Sequence, residues 1–339
     1  MKDDGNTLVG KLPPNLLERA VFRHRGATLP EVLVGPGVGE DASLIRWGNA
    51  PFLAVSSDPI VGASKGAGKL LVHINANDIA CKGGDPLYFV ATLIIPAALG
   101  VEFVDSVMSE ISQACSDIGA AVVGGHTELT SKYDRPVLVG AMMGPTSFCY
   151  RATDIVPGDV VIATKHVALE GMSILAHDRP DLLGAILSEE EIAEVRSWAS
   201  QISVLDEARA LRDIARFMHD PTEGGLFGGL AEICRLCELD VLLDPERIPL
   251  SPLTERVRRA LGFDAHHMIS SGVLVAVAPA EREAEALRRL SESGIPAQTI
   301  GRMVPQGAGT YLGDGEELWR IIDLPSPPLN SVHGGAANR

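Results

Sequence analysis

Four aspartates stand in contexts that suit phosphate chemistry. Asp41 follows Gly39 and Glu40 in "GVGEDAS", and Asp58 ends the apolar run "FLAVSSDPI". Asp78 lies in "NANDIACK" and Asp220 in "HDPTEGGL". Each sits where the chain reverses or where its neighbours are small, so a ligand could come close to the backbone. Taken singly, each also fits an ordinary turn or helix N-cap. Taken together, they would form a hard-oxygen site for Mg²⁺ bridging phosphate oxygens. Spacing alone does not bring them together.

Other candidates surround them. Lys65 and Lys69 lie in "GASKGAGKLL", which is not a P-loop because Ala63 and Leu70 stand where Gly and Ser or Thr are needed. The turn with Gly68 can still offer backbone N–H groups to phosphate at a helix start, with Lys69 as a point charge or simply a solvated lysine. In "GGHTEL", Gly124 and Gly125 leave room for a ligand, with His126, Thr127 and Glu128 beside it. Cys234 and Cys237 match C-x-x-C, but no second pair accompanies them, so zinc is unsupported and packing on one helix face is expected. His266 and His267 next to Asp264 read as a loop or helix-end pair. No nucleophile elbow and no dinucleotide fingerprint is evident.

The elements that must position these residues follow from periodicity. A short helix is expected over 13–25, a buried strand over 52–60 ending at Asp58-Pro59, and a helix over 68–82. Next come the strand "DPLYFVATLIIP", an amphipathic helix over 101–118, "AAVVGGHTEL" as strand into turn, and the strand "PVLVGAMMG". A second succession opens near 150. It contains "RATDIVPGDVVIAT" as turn then strand, helices around 171–178, 189–215 and 223–238, the strand 272–279, a helix over 280–293 and a late strand near 297–304. Thr222 or Asp220 is expected to cap the helix after "HDPTEGGL". The mixture lacks a βαβ rhythm and reads as α+β in two domains. The domains are placed at 1–154 and 155–325, with a mobile tail over 326–339.

The totals agree with a folded two-domain chain. The 339 residues are 46% hydrophobic and 22% charged, with 35 glycines. A net charge of −15 argues against nucleic acid. A nucleotide remains compatible, because cations invert the local charge logic. Five scattered cysteines, an opening without an apolar core and no apolar run of about 18 residues point to a reducing cytoplasm and no membrane.

The order of the motifs carries more than any one of them. "GVGEDAS", "SSDP", "GKLLVHINANDIACKGGDPLY", "GGHTEL", "PGDVVIATK" and "HDPTEGGL" in succession resemble the AIR synthase superfamily. That superfamily also includes hydrogenase maturation factor HypE, thiamine-monophosphate kinase and selenophosphate synthetase. The resemblance runs from about residue 35 to 305. It implies an N-terminal α/β domain that forms a homodimer through its sheet, a C-terminal α/β domain, and ATP with Mg²⁺ between them. By position, Asp41, Asp58, Asp78 and Asp220 resemble the metal-binding acids. Lys69, Asn77, Gly39 and Gly68 fall near the nucleotide, and Gly124, Gly125, His126 and Thr127 match a superfamily loop. Asp78, Asp220, Lys69 and His126 are the catalytic candidates.

The motifs "NANDIACKGGDPLYF", "ALEGMSILA" and "HDPTEGGLFGGLAEI" are most similar to the HypE branch. That branch implies ATP-dependent activation of an amide or carbonyl oxygen, by dehydration or γ-phosphate transfer. Its tail reaction needs a C-terminal cysteine, whereas this sequence ends "HGGAANR" and its last cysteine is Cys237. The expected substrate is therefore a small molecule or the tail of a maturation partner protein. The acceptor is expected where 165–171 and 270–272 face the phosphates. A kinase resembling thiamine-monophosphate kinase and a non-catalytic nucleotide-binding dimeric scaffold are the competing readings.

Overall fold

The computed structural model describes residues 30, 32–34, 37–47, 52–61 and 66–307. The helix expected over 13–25, Lys65 and the tail over 326–339 lie outside them. The first half is built on a six-stranded sheet: β1 (Val32–Val34), β2 (Ser43–Arg46), β3 (Phe52–Val61), β4 (Tyr88–Pro96), β5 (Ala121–Thr130) and β6 (Val137–Thr146), in the order β1-β2-β3-β6-β4-β5. All neighbours are antiparallel except β4 and β5. Two helices, α1 (Ala67–Cys81) and α2 (Gly100–Ile118), pack together and lie on this sheet. Alternation along β4 buries Phe89, Leu93 and Ile95, while Val90 and Ile94 on the other face are half-buried.

β3 does not end at Asp58-Pro59. It pairs with β6 through Val61, with Asp58 opposite Gly140 and Pro59 opposite Val139. Among the described residues, β2 reaches only Val55 on the other side, and the edge beyond is unpaired where proline has no N–H to give. The "GGHTEL" segment is not a turn either. Its residues continue β5 in register with β4, and a Cβ on Gly125 would come 2.1 Å from Ala91 O. Glycine there permits a ladder rather than a bend.

The second half carries an antiparallel sheet of β7 (Val160–Thr164), β8 (Phe217–His219), β9 (Leu239–Leu243), β10 (Val275–Ala278) and β11 (Ala297–Pro305), in the order β8-β10-β7-β11-β9. Around it are α3 (Leu169–Asp178), α4 (Pro180–Leu183), α5 (Glu189–Ser197), α6 (Leu205–Leu211), α7 (Gly225–Cys237), α8 (Pro252–Leu261) and α9 (Glu283–Glu292). The helix expected over 189–215 is broken. α5 runs into a 3₁₀ turn over Trp198–Gln201, and α6 begins at Leu205. Lys165 Nζ takes the carbonyls of Gln201 (2.8 Å) and Ser203 (2.7 Å), so these groups serve a distant side chain. No helix among the described residues is long and apolar enough to cross a membrane.

Candidate functional site

The site begins where β3 lies against α1. Ser56 and Asp58 are two apart on a strand and share a face, and Asn75 and Asp78 are three apart on a helix and share a face. The Ser56 hydroxyl donates to Asp78 Oδ2. The Asp58 N–H donates to Asn75 Oδ1 (2.9 Å), and Asn75 Nδ2 donates to Leu71 O (2.8 Å) and Asp58 O (3.3 Å). Asp78 is only 7% exposed. Burial, then the Asp58 and Asp41 carboxylates, hold its pKa well above the carboxylate range, against the Ser56 hydrogen bond.

The second half reaches this site through Asn77. Its Nδ2 donates to Asp220 Oδ2 (2.7 Å) and Ile202 O (2.9 Å), and its Oδ1 accepts from Val204 N–H (2.9 Å). The break between α5 and α6 is what supplies the two backbone groups. Asp220 Oδ1 accepts from Gly272 N–H at 3.2 Å. Burial pushes the Asp220 pKa up to about 8; the Asn77 hydrogen bond opposes this and the Asp41 charge adds to it.

Asp41 stands on the turn before β2, and His219 Nδ1 lies 2.6 Å from its Oδ1. Burial disfavours the charged ring, but the Asp41 and Glu232 carboxylates outweigh it and raise the His219 pKa to about 10. The buried Cys81 thiol is pushed up by burial and then by Asp41, Asp220 and Asp78. The charges of those three acids all act on this thiol, and the Asp58 charge acts on Asp78. Lys82, fully buried, pairs with Glu40 and lies 4.9 Å from the centre of the Phe217 ring.

Other expected residues lie elsewhere. Lys69 is exposed on the first turn of α1, nine residues and about 13 Å along the helix from Asp78. Gly68 and Gly66 give their N–H groups to Glu110 at 2.9 and 3.1 Å, so an acid of α2 occupies the donors expected to face phosphate. Gly124, Gly125, His126 and Thr127 are exposed on β5. Two strands separate β5 from β3, so they stand roughly 14 Å from the Asp58 strand. Neither Thr222 nor Asp220 caps α7; Gly224 is its N-cap and no side chain caps it. Gly225 makes room for the chain itself, since a Cβ would come 2.5 Å from the carbonyls of His266 and Met268. Cys234 and Cys237 are free thiols with raised pKa values, burial being the main cause. Asp264 caps the turn holding His266 and His267.

Residues 39–146 match the family described as AIR synthase related protein, N-terminal domain, and residues 156–313 match its C-terminal domain. The chain belongs to the AIR synthase-related family. Among relatives in this family, it is 24% identical over 333 residues to a putative hydrogenase expression/formation protein of Methanocaldococcus jannaschii, covering 93% of this chain and 94% of that one. It is 27% identical over 248 residues to the carbamoyl dehydratase HypE of Cupriavidus necator, covering 71% and 68%. Among solved structures, a hydrogenase maturation protein HypE in complex with ATP superposes with a TM-score of 0.66 at 21% identity, covering 91% and 96%. The family fold thus matches the two-domain α/β arrangement the motif order implied.

Five participants escaped the sequence reading: Ser56, Asn75, His219, Glu232 and Lys82. His219 directly precedes Asp220, and Asn75 lies three residues before Asp78 on the same helix. Ser56 could have been found by strand alternation with Asp58. Glu232 and Lys82 gave no signal, because their partners are distant in sequence.

Proposed function

We propose that the chain is an ATP- and Mg²⁺-dependent enzyme of the HypE-like branch, activating an amide or carbonyl oxygen for hydrogenase maturation. One observation carries this reading. Carboxylates from both halves of the chain meet in a buried place where burial and mutual repulsion already oppose their charge. Such crowding is what a divalent cation relieves.

The fit to magnesium rests on the donor set. Asp41 Oδ2 is buried without a hydrogen-bond partner, and all the candidate atoms are oxygens. Among the described residues, no three Asp, Glu, His or Cys side chains close around a single point. Instead, three of the four acids are held by the chain's own donors: Ser56 on Asp78, His219 on Asp41, Asn77 and Gly272 on Asp220. Asp41, Asp58, Asp78 and Asp220 would hold the cations. These would neutralise the phosphate oxygens, which is most of what phosphoryl transfer asks of a protein. Lys69 would meet the outer phosphates once Glu110 releases the start of α1.

Residues 1–154 then form the ATP-binding and dimerisation domain, and 155–325 the domain that brings Asp220 and the acceptor. The exposed face of β5 supports pairing of a second copy on the first sheet. β5 is exposed from Ala121 to Leu129, with Val122, Val123 and Leu129 bare. An uncovered apolar edge strand is a pairing surface. The acceptor is a small molecule or the tail of a maturation partner.

Thermal melting with ATP and MgCl₂ tests the reading. At about 100 times the dissociation constant, stabilisation of about 2.7 kcal/mol is expected, and EDTA removes it. Asp78→Asn should abolish the shift and ADP release while leaving the dimer intact. Phosphate transfer to thiamine monophosphate, or binding without turnover over a panel of carboxamides, would overturn it.

A further inference from the structure

His219 stands between two carboxylates from different halves of the chain. Its Nδ1 is 2.6 Å from Asp41 Oδ1, and its Nε2 is 3.3 Å from Glu232 Oε2. The side chains of His219, Asp41 and Glu232 are 5%, 7% and 16% exposed. His219 ends β8, Glu232 lies in the middle of α7, and Asp41 belongs to the turn before β2. That turn is pressed on α7: a Cβ on Gly39 would come 2.8 Å from Glu232 Cβ and 3.0 Å from Leu236 Cδ1.

The two contacts act on the ring from opposite edges. The Nδ1–H donated to Asp41 fixes Oδ1, so the carboxylate cannot rotate freely. Its Oδ2 is left buried without a hydrogen-bond partner. Glu232 faces the far edge of the ring at ion-pair distance, without a well-aligned hydrogen bond to Nε2. It also places a second carboxylate beside the ring. Partners of this kind orient metal-binding groups, and their loss commonly costs about 10–100-fold in metal affinity.

We propose that His219, backed by Glu232, is a positioning residue that presents Asp41 Oδ2 to the divalent cation. This deepens the magnesium reading above and rests on it. The second half of the chain thereby sets an orientation in the first. Cation affinity then depends on how the two halves meet, as well as on the acids themselves.

The test is a Mn²⁺ titration of the full chain, followed by electron paramagnetic resonance of the free ion, with a non-hydrolysable ATP analogue present. His219→Ala should raise half-saturating Mn²⁺ by about 10–100-fold. His219→Asn, whose amide nitrogen falls close to the place of Nδ1, should stay near wild type. If His219→Ala does not fold, His219→Gln replaces it: its amide reaches the Nε2 position only and must show the same rise. In an Asp41→Asn background, His219→Ala should add nothing. A folded His219→Ala or His219→Gln chain that binds Mn²⁺ like wild type overturns the proposal. So does an undiminished effect in the Asp41→Asn background, which would mean that His219 does not act through Asp41. Wild-type protein that binds no Mn²⁺ sinks the magnesium reading itself, and is told apart by that result.

Discussion

Asn77→Ala removes the hydrogen bonds that tie α1 to the second half of the chain. Asn77 is fully buried, so its partners have no water to turn to. The Ile202 carbonyl, the Val204 N–H and Asp220 Oδ2 lose contacts of 2.9, 2.9 and 2.7 Å. An orphaned buried group costs about 1–3 kcal/mol. Taking the low end for each gives a loss of about 3 kcal/mol, a large part of the roughly 5–15 kcal/mol that keeps a domain folded. Asp220 also loses the donor that most opposes its raised pKa, so it stays protonated to higher pH and ATP turnover falls with stability. Urea unfolding followed by Trp198 fluorescence measures the loss, and hydrogen exchange at Val204 reports the freed amide. Asn75→Ala is the control, since its partners Asp58 and Leu71 belong to the same half as itself. A loss below about 1 kcal/mol for Asn77→Ala, or unchanged exchange at Val204, would refute the reasoning.

Glu170 is buried, and burial pushes its pKa up to about 7 despite hydrogen bonds from Ser271. The carboxyl is neutral below its unfolded value near 4.5, so its destabilising effect is absent there, grows as pH rises toward 7 and is constant above. Glu170→Gln should match wild type in urea at pH 4 and be more stable by up to about 3 kcal/mol at pH 8; equal stability at both would disprove it. Lys82→Met leaves Glu40 unpaired and should cost about 3 kcal/mol, with Glu40→Gln in addition recovering most of it in thermal melts. Val123→Glu puts charge on the bare β5 edge; if wild type pairs through β5 as proposed, light scattering should show it as a dimer and the variant as a monomer, and a monomeric wild type refutes the pairing.

Much of the fold was legible because local chemistry decided it. α2 ends at Gly119 in a left-handed conformation, as its apolar period and glycine stop foretell. α1 and β4 begin and end within a residue or so of where small, apolar and proline residues put them. The break at 198–204 was not legible, since no glycine or proline marks it and the cause lies in Lys165 and Asn77. β8 and β9 were missed because three and five residues are too few to show a period. At the site, motif order singled out Asp41, Asp78 and Asp220, whose carboxylates are buried and act electrostatically on one another or on Cys81 between the two halves. Strand alternation could place Ser56 beside Asp58, but which acid each donor holds was invisible, because hydrogen bonds spanning 22 to 178 residues leave no local trace. Exposure on β5 likewise escaped, since Val122 and Val123 look like core residues in the sequence.

The tether at Asn77 also has an evolutionary side. Two of its three partners, Ile202 O and Val204 N–H, are main-chain groups, so the bond does not read what side chains stand at 202 and 204. As far as this bond is concerned, substitutions that keep the buried 202 and 204 apolar can accumulate while the loop keeps its path. A change in its length cannot, because one inserted residue would move both backbone groups off the amide. Among descendants of this chain, the segment should therefore hold its length and vary at its exposed positions, with 202 and 204 staying apolar because both are buried, and a chimera exchanging it for an equally long segment that keeps those two apolar should keep the two halves joined.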